Sequence, residues 1–369
     1  MRHAIVITIG GLVSLLVAET VPAEPVTVVD AKTVTNARQP QAAVDASGTI
    51  FVTFGADEAI YSSSSADGGE SFSAPVKVAD VSRLALGLRR GPRIVAGDGV
   101  LIITAISHDG GNLLSWRSID NGESWHDAVQ VNDRPRVARE GLHAMAISPE
   151  GAVFCTWLDL RNDGTEIFGS LSTDGGRTWG ENHLVYRSPS GSVCECCHPA
   201  ATYDPKGDLH VMWRNSLDGA RDLYWASSTD DGKTFTKAQK LGEGTWPLDR
   251  CPMDGGWLAA TGDGQLTTVW QRDKHVYRTD SVSEEETLLG PGIQPWVTAT
   301  REGTVVVWLS SRPGDLWLAT PDDSRPRRLA GGVTDPVVAS PAFTAGPVVV
   351  VWESGRKRDT TVMAEVIDR

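Results

Sequence analysis

Read for polarity alone, the chain beyond residue 23 is a succession of short apolar runs separated by clusters of Gly, Asp, Ser and Pro. Seven of these runs follow a turn glycine: Gly48 (TIFVTF), Gly99 (VLIITAI), Gly151 (AVFCTW), Gly207 (DLHVMW), Gly264 (QLTTVW), Gly303 (TVVVWL) and Gly346 (PVVVVW). Runs this short, rich in Val, Thr and Trp and bounded by turns, predict strands buried on both faces. No long stretch carries helical periodicity with caps, so the pattern predicts an all-β chain.

A second repeat fixes the spacing of these units. The pattern Ser-x-Asp-x-Gly-x-(Ser/Thr)-(Trp/Phe) starts at Ser65, Ser118, Ser172 and Ser228, at intervals of 53, 54 and 56 residues. It suits a hairpin turn: Asp accepts hydrogen bonds from turn amides, Gly supplies a positive φ, and the aromatic packs beneath. Each unit then holds four strands, A before the glycine turn, B the apolar run, C leading into the octapeptide and D after it. Four-stranded units of this length predict the blades of a β-propeller. The last unit ends with its strand C (TTVMAEVI), and a strand within Pro25–Val34 is expected to supply the missing D and close the ring. Seven blades are preferred, with six as the alternative because the last three units are compressed.

The octapeptide resembles the Asp-box of the sialidase-like (neuraminidase, BNR-repeat) superfamily. The similarity spans most of the mature chain, with the motif confined to the first four units. It implies a propeller whose Asp-box residues Asp67, Asp120, Asp174 and Asp230 are structural, on the face opposite the active site. It does not imply one activity, because Asp-boxes also occur in other glycosidases, in receptors and in assembly factors.

The first 23 residues follow another logic. A short basic start, an apolar stretch over 4–18 and Val21-Pro22-Ala23 predict a signal peptide cleaved after Ala23. The apolar run is shorter than the roughly 20 residues a membrane span needs. One mature domain, residues 24–369, is therefore expected in the periplasm or secreted, without membrane insertion. A net charge of −13, with no Lys/Arg run, excludes nucleic acid as the main partner. A monomer is expected.

Propeller topology brings the segments leading into strand A, and the B–C loops, to one face around the central channel. Those segments carry Arg38, Arg93, Arg161, Arg214, Arg272, Arg312, Asp57, Asp159, His143 and His198, so an Arg/His/Cys-lined funnel is the expected ligand site. Arg38-Gln39-Pro40 matches the Arg-x-Pro motif that, in the resemblance, clamps a substrate carboxylate with two further arginines. Arg214 with Arg272 or Arg312 are the positional candidates for those places. The resemblance also implies an acidic residue about twenty positions after the first Arg, where Asp57 stands. Its Tyr nucleophile is missing: the only Tyr after residue 250 is Tyr277, expected within a strand C. If the protein is an enzyme, it is a glycoside hydrolase using Asp57 and Asp159.

Cysteines make the chain depart from ordinary sialidases. Cys194, Cys196, Cys197 and His198 lead into the fourth unit, and Cys251 with Met253 into the fifth. Two accounts compete: disulfides between these loops, or a Cu or Zn site of Cys194, Cys196, Cys197 and Cys251 with His198, His143 or Met253. A redox pair, Cys194 with Cys197, is the third. Cys155 and His210 are expected inside strands, and His126 and His183 on the Asp-box face. Three functions follow: a propeller binding a glycan or another anionic ligand without ordinary sialidase chemistry, a carboxylate glycoside hydrolase, or a Cu/Zn-binding or redox protein. No cofactor is certain from the sequence.

Overall fold

The computed structural model describes residues 24–97, 99–280, 285–356 and 358–368, so the expected signal peptide lies outside the described residues. Among these, all regular elements are strands; no helix is long and apolar enough to cross a membrane. The first sheet runs outward from the axis as Ala37–Val44, Ile50–Ala56, Ala59–Ser65 and Val76–Asp80, every pair antiparallel. Four further four-stranded sheets repeat this order, beginning at Arg93–Gly97, His143–Ile147, Ala200–Tyr203 and Trp257–Ala260.

The remaining strands form a single seven-stranded sheet. Its hinge is the 13-residue strand Arg327–Ala339, which pairs with Gly314–Ala319 through Val333 and with Val348–Arg356 from Thr334 onward. Strand Asp359–Asp368 then pairs with Val26–Val29, the N-terminal strand, which is shorter than the expected segment because Asp30 closes a turn onto Thr33. The innermost strands follow one another around the axis, and Ala37–Val44 packs against Arg327–Ala339.

Burial explains the alternation of runs and turns. The second strands of the first, third and fourth sheets, Ile50–Ala56, Val153–Asp159 and Leu209–Arg214, are buried at every position. Each is covered by neighbouring sheets, so both faces must be apolar. The four octapeptides tie sheet to sheet. In the first, Asp67 accepts from the amides of Glu70 and Ser71, each at 3.0 Å, while Ser65 Oγ accepts from Gly69 N at 2.9 Å. Its glycine, at φ 86°, lies against Val366 of the seven-stranded sheet; the equivalent Gly176 and Gly232 lie against Ile102 and Phe154 of the preceding sheets. Phe72, Trp125, Trp179 and Phe235 pack beneath their turns.

Candidate functional site

At the face opposite the octapeptides, the segments leading into the innermost strands share an unusual backbone. Gln39, Gln294 and Asp335 each adopt a positive φ (54°, 55° and 50°), each precedes a proline, and each sits at a break in strand register. A left-handed conformation at a non-glycine residue costs about 1–2 kcal/mol. The bulge it makes turns the chain, and all three side chains are buried at the head of the channel.

Charges gather around these bulges. Arg89, itself at φ 66°, crosses the ring: Nη1 donates to the Pro336 carbonyl at 2.9 Å and Nη2 to that of Gln294 at 2.6 Å. Arg93 donates to the Arg89 carbonyl at 2.5 Å, and Arg312 pairs with Asp335 at 2.5 Å. Asp254 accepts from Gln294 N at 2.6 Å; Glu353 accepts from Gln39 N at 2.6 Å and from the Thr334 hydroxyl at 2.9 Å. Burial pushes Arg89 and Arg93 down, Arg93 to about 9, and pushes Glu353 up, with the Asp335 charge adding to it. The Nε atoms of Arg89, Arg93 and Arg312, Gln294 Oε1 and Asp335 Oδ1 find no partner among the described residues.

Arg38 differs from these arginines. It is half-buried beside Gly87, and its guanidinium makes no hydrogen bond or ion pair among the described residues. Its charge reaches Glu353, which it holds down against burial. Below the network, the channel holds a cavity of about 170 Å³ walled by the innermost strands. Two larger cavities, of about 620 and 550 Å³, open on the octapeptide face on either side of the loop carrying Phe343.

Three of the six candidate arginines, Arg38, Arg93 and Arg312, thus lie in or beside one charged network, and three do not. Arg161 is committed to Asp159 through two bonds of 2.9 Å, stacks over Phe168 and also meets Asp133. Arg272 pairs with Glu286 at 2.5 Å and lies over Tyr277, which is within strand His275–Asp280. Arg214 is buried in the fourth sheet and donates only to backbone carbonyls, of Asp254, Arg221 and Gln271. The carboxylates also separate: Asp57 is on an exposed turn holding Asn36 at 2.8 Å, whereas Asp159 is fully buried and accepts from Trp157 as well as Arg161. Sequence reasoning missed Arg89, Asp335, Gln294 and Glu353. The X-Pro pairs after three of the lead-in bulges were the available signal.

The cysteines converge more tightly. Cys194, Cys196 and Cys197 are buried as free thiols, with Sγ atoms 3.5, 3.6 and 3.8 Å apart. Met253 packs against them, at φ 59° on the neighbouring loop, and Cys251 is exposed. Hydrogen bonding with Cys196 and Cys197, with help from the Arg214 charge, holds Cys194 well below the usual thiol range; burial, then contact with Cys194 and Cys196, holds Cys197 well above it. The expected histidines stay outside this group. His143 bonds the Thr104 hydroxyl at 2.9 Å, and His198 lies against the stacked pair Trp257 and Trp296, both rings kept neutral chiefly by burial. Cys155 and His210 are buried in strands; His126 is exposed and His183 half-buried.

Comparison with known proteins comes down on the fold. The BNR repeat-like domain matches residues 100–320. No curated protein matches the chain. Among solved structures, a Penicillium chrysogenum alpha-L-arabinanase complexed with arabinobiose is similar at 14% identity and a TM-score of 0.55, over 94% of this chain and 98% of that one. An intramolecular trans-sialidase from Ruminococcus gnavus, with oseltamivir carboxylate, is similar at 11% and 0.55, over 94% and 97%. A virginiamycin B lyase from Staphylococcus aureus is similar at 11% and 0.56, over 93% and 99%.

Proposed function

The chain belongs to the BNR repeat-like domain family, and on that premise we propose that it is an exported, seven-bladed, sialidase-like propeller that binds an acidic glycan at Arg38 without hydrolysing it. In this reading the N-terminal strand completes the seventh blade. The observation that carries the proposal is the Arg38 guanidinium, half-buried and unpaired beside a network in which its neighbours are engaged. A guanidinium in that state suits a carboxylate, which it can meet through two parallel hydrogen bonds. The Arg38 position in Arg-x-Pro favours a carboxylate, and the sugar-bound arabinanase favours a carbohydrate. The lyase of the same fold is why the argument rests on Arg38 rather than on the fold.

The residues expected to catalyse hydrolysis are engaged elsewhere. Most glycoside cleavage uses two carboxylates about 5–9.5 Å apart across the scissile bond. Asp159 has both oxygens occupied, Asp57 is exposed and bonded to Asn36, and Tyr277 lies beneath Arg272. The test combines a glycan array with fluorogenic N-acetylneuraminide and arabinofuranoside substrates. Retention of acidic glycans with no turnover is expected. Turnover that disappears in Asp57→Asn would replace this reading with the glycoside hydrolase.

A further inference from the structure

We propose that Cys194, Cys196 and Cys197 form a thiolate site for one copper(I) ion, backed by the Met253 thioether. The site is separate from Arg38, so either assignment can fail alone.

Four observations converge on it. Three sulfurs about 2.2–2.3 Å from one ion, at near-tetrahedral angles, stand about 3.6–3.8 Å from one another. The three Sγ atoms, 3.5 to 3.8 Å apart, already have that spacing. The donor set is all sulfur: among the described residues, no imidazole or carboxylate joins the group. Thiolate donors select copper(I) or zinc, and a thioether packed alongside favours copper(I) over zinc. Burial adds a third point, because all three thiols are shielded from solvent.

Charge supplies the fourth. Arg214 is 1% exposed, and among the described residues its guanidinium donates to three carbonyls and to no carboxylate. A buried cation without an anion is costly. The cysteine loop lies against it, the Cys194 amide donating to the Arg214 carbonyl at 3.0 Å, so a copper–trithiolate centre would place a negative charge beside this cation. The same pairing offsets part of the negative charge of a copper–trithiolate centre.

Loading involves no electron transfer. Copper(I) forms three Cu–S bonds, and the thiol protons of the three cysteines pass to solvent. The competing chemistry is oxidation, in which two thiols lose two electrons to an oxidant and form a disulfide.

The experiment uses the full mature chain, purified reduced and without oxygen, titrated with copper(I) in competition with bicinchoninate. Retention of one equivalent is expected. Cys194→Ser and Cys197→Ser should each weaken retention by at least about a hundredfold, more than the loss of an outer-sphere partner does. Cys155→Ser, away from the trio in a buried strand, should retain the full equivalent. Should the serine variants fail to fold, alkylation of the wild-type protein decides: copper(I) should protect Cys194, Cys196 and Cys197, which alkylate once the ion is removed. Reduced protein that surrenders all its copper to bicinchoninate, or that holds zinc but not copper(I), would overturn the proposal. So would full retention by Cys194→Ser, or a disulfide among the three that re-forms in preference to loading.

Discussion

The two faces of the ring are built on opposite plans. On one, the same Ser-x-Asp-x-Gly turn recurs four times with the same bonds: Asp67, Asp120, Asp174 and Asp230 each accept from the hydroxyl and amide of the residue four positions on. On the other, the lead-in segments are all different. One carries three cysteines, another the arginine that spans the ring, and three carry left-handed residues before proline. Repetition holds the sheets together, and departure from the repeat carries the chemistry. Both faces carry left-handed backbone on glycines, but the lead-in segments also place it on Gln39, Gln294 and Asp335, each before a proline.

Breaking the irregular face should have the largest effect on stability. Arg89→Met removes a buried cation held between two distant carbonyls and leaves Asp335, Asp254 and Glu353 with less compensating charge. A loss of about 3–5 kcal/mol is expected from the urea unfolding midpoint. A change below 1 kcal/mol, on the order of a surface substitution, would mean that the network does not bind the ring together.

One octapeptide should matter less. Gly232→Ala places a methyl at φ 78°, where it would meet Phe154 of the preceding sheet at 2.4 Å. A cost of about 1–3 kcal/mol is expected in thermal unfolding, split between backbone strain and overpacking. Gly151→Ala sharpens the comparison: it shares the positive φ, 84°, but nothing lies near its added methyl, so it should cost less.

The smallest effect is a titration. Hydrogen bonds from Ser118 and Ser124 hold Asp120 down to about 2. An unfolded Asp titrates near 3.9, so this turn stabilises the fold fully above about pH 4 and loses that contribution as pH falls through 2. Asp120→Asn should therefore lower the unfolding midpoint at pH 7 and converge on the wild type near pH 2. A deficit that stays constant with pH would assign the role of Asp120 to shape rather than charge.

How legible each face was follows from the same contrast. The octapeptides and glycine-led runs announced the strands and the turns, because local spacing and burial on both faces determine them. The strand Arg327–Ala339 was not separable into two units, since it passes from one partner to the next without a loop, its Gly332 and Asp335 bending the strand rather than ending it. On the opposite face, residue type located the cysteines, whose loop is short enough to bring them together locally. It could not sort the arginines. Arg161 lies two residues from its acid, Arg272 meets Glu286 fourteen residues on, and Arg89 finds its partners more than 200 residues away. Such pairing comes from the packing of sheets distant in sequence and leaves no mark in any one segment.

The central claim is that Arg38 is left free to take a carboxylate. Calorimetric titration of the wild type and of Arg38→Ala with N-acetylneuraminate, galacturonate and neutral arabinobiose tests it most directly. The account predicts that at least one of the acids binds, that arabinobiose binds more weakly, and that Arg38→Ala loses about tenfold or more of the acid affinity, as expected for a charge-assisted pair worth about 1.5–3 kcal/mol. Acid binding unchanged in Arg38→Ala, or arabinobiose bound as tightly as the acids, would contradict it.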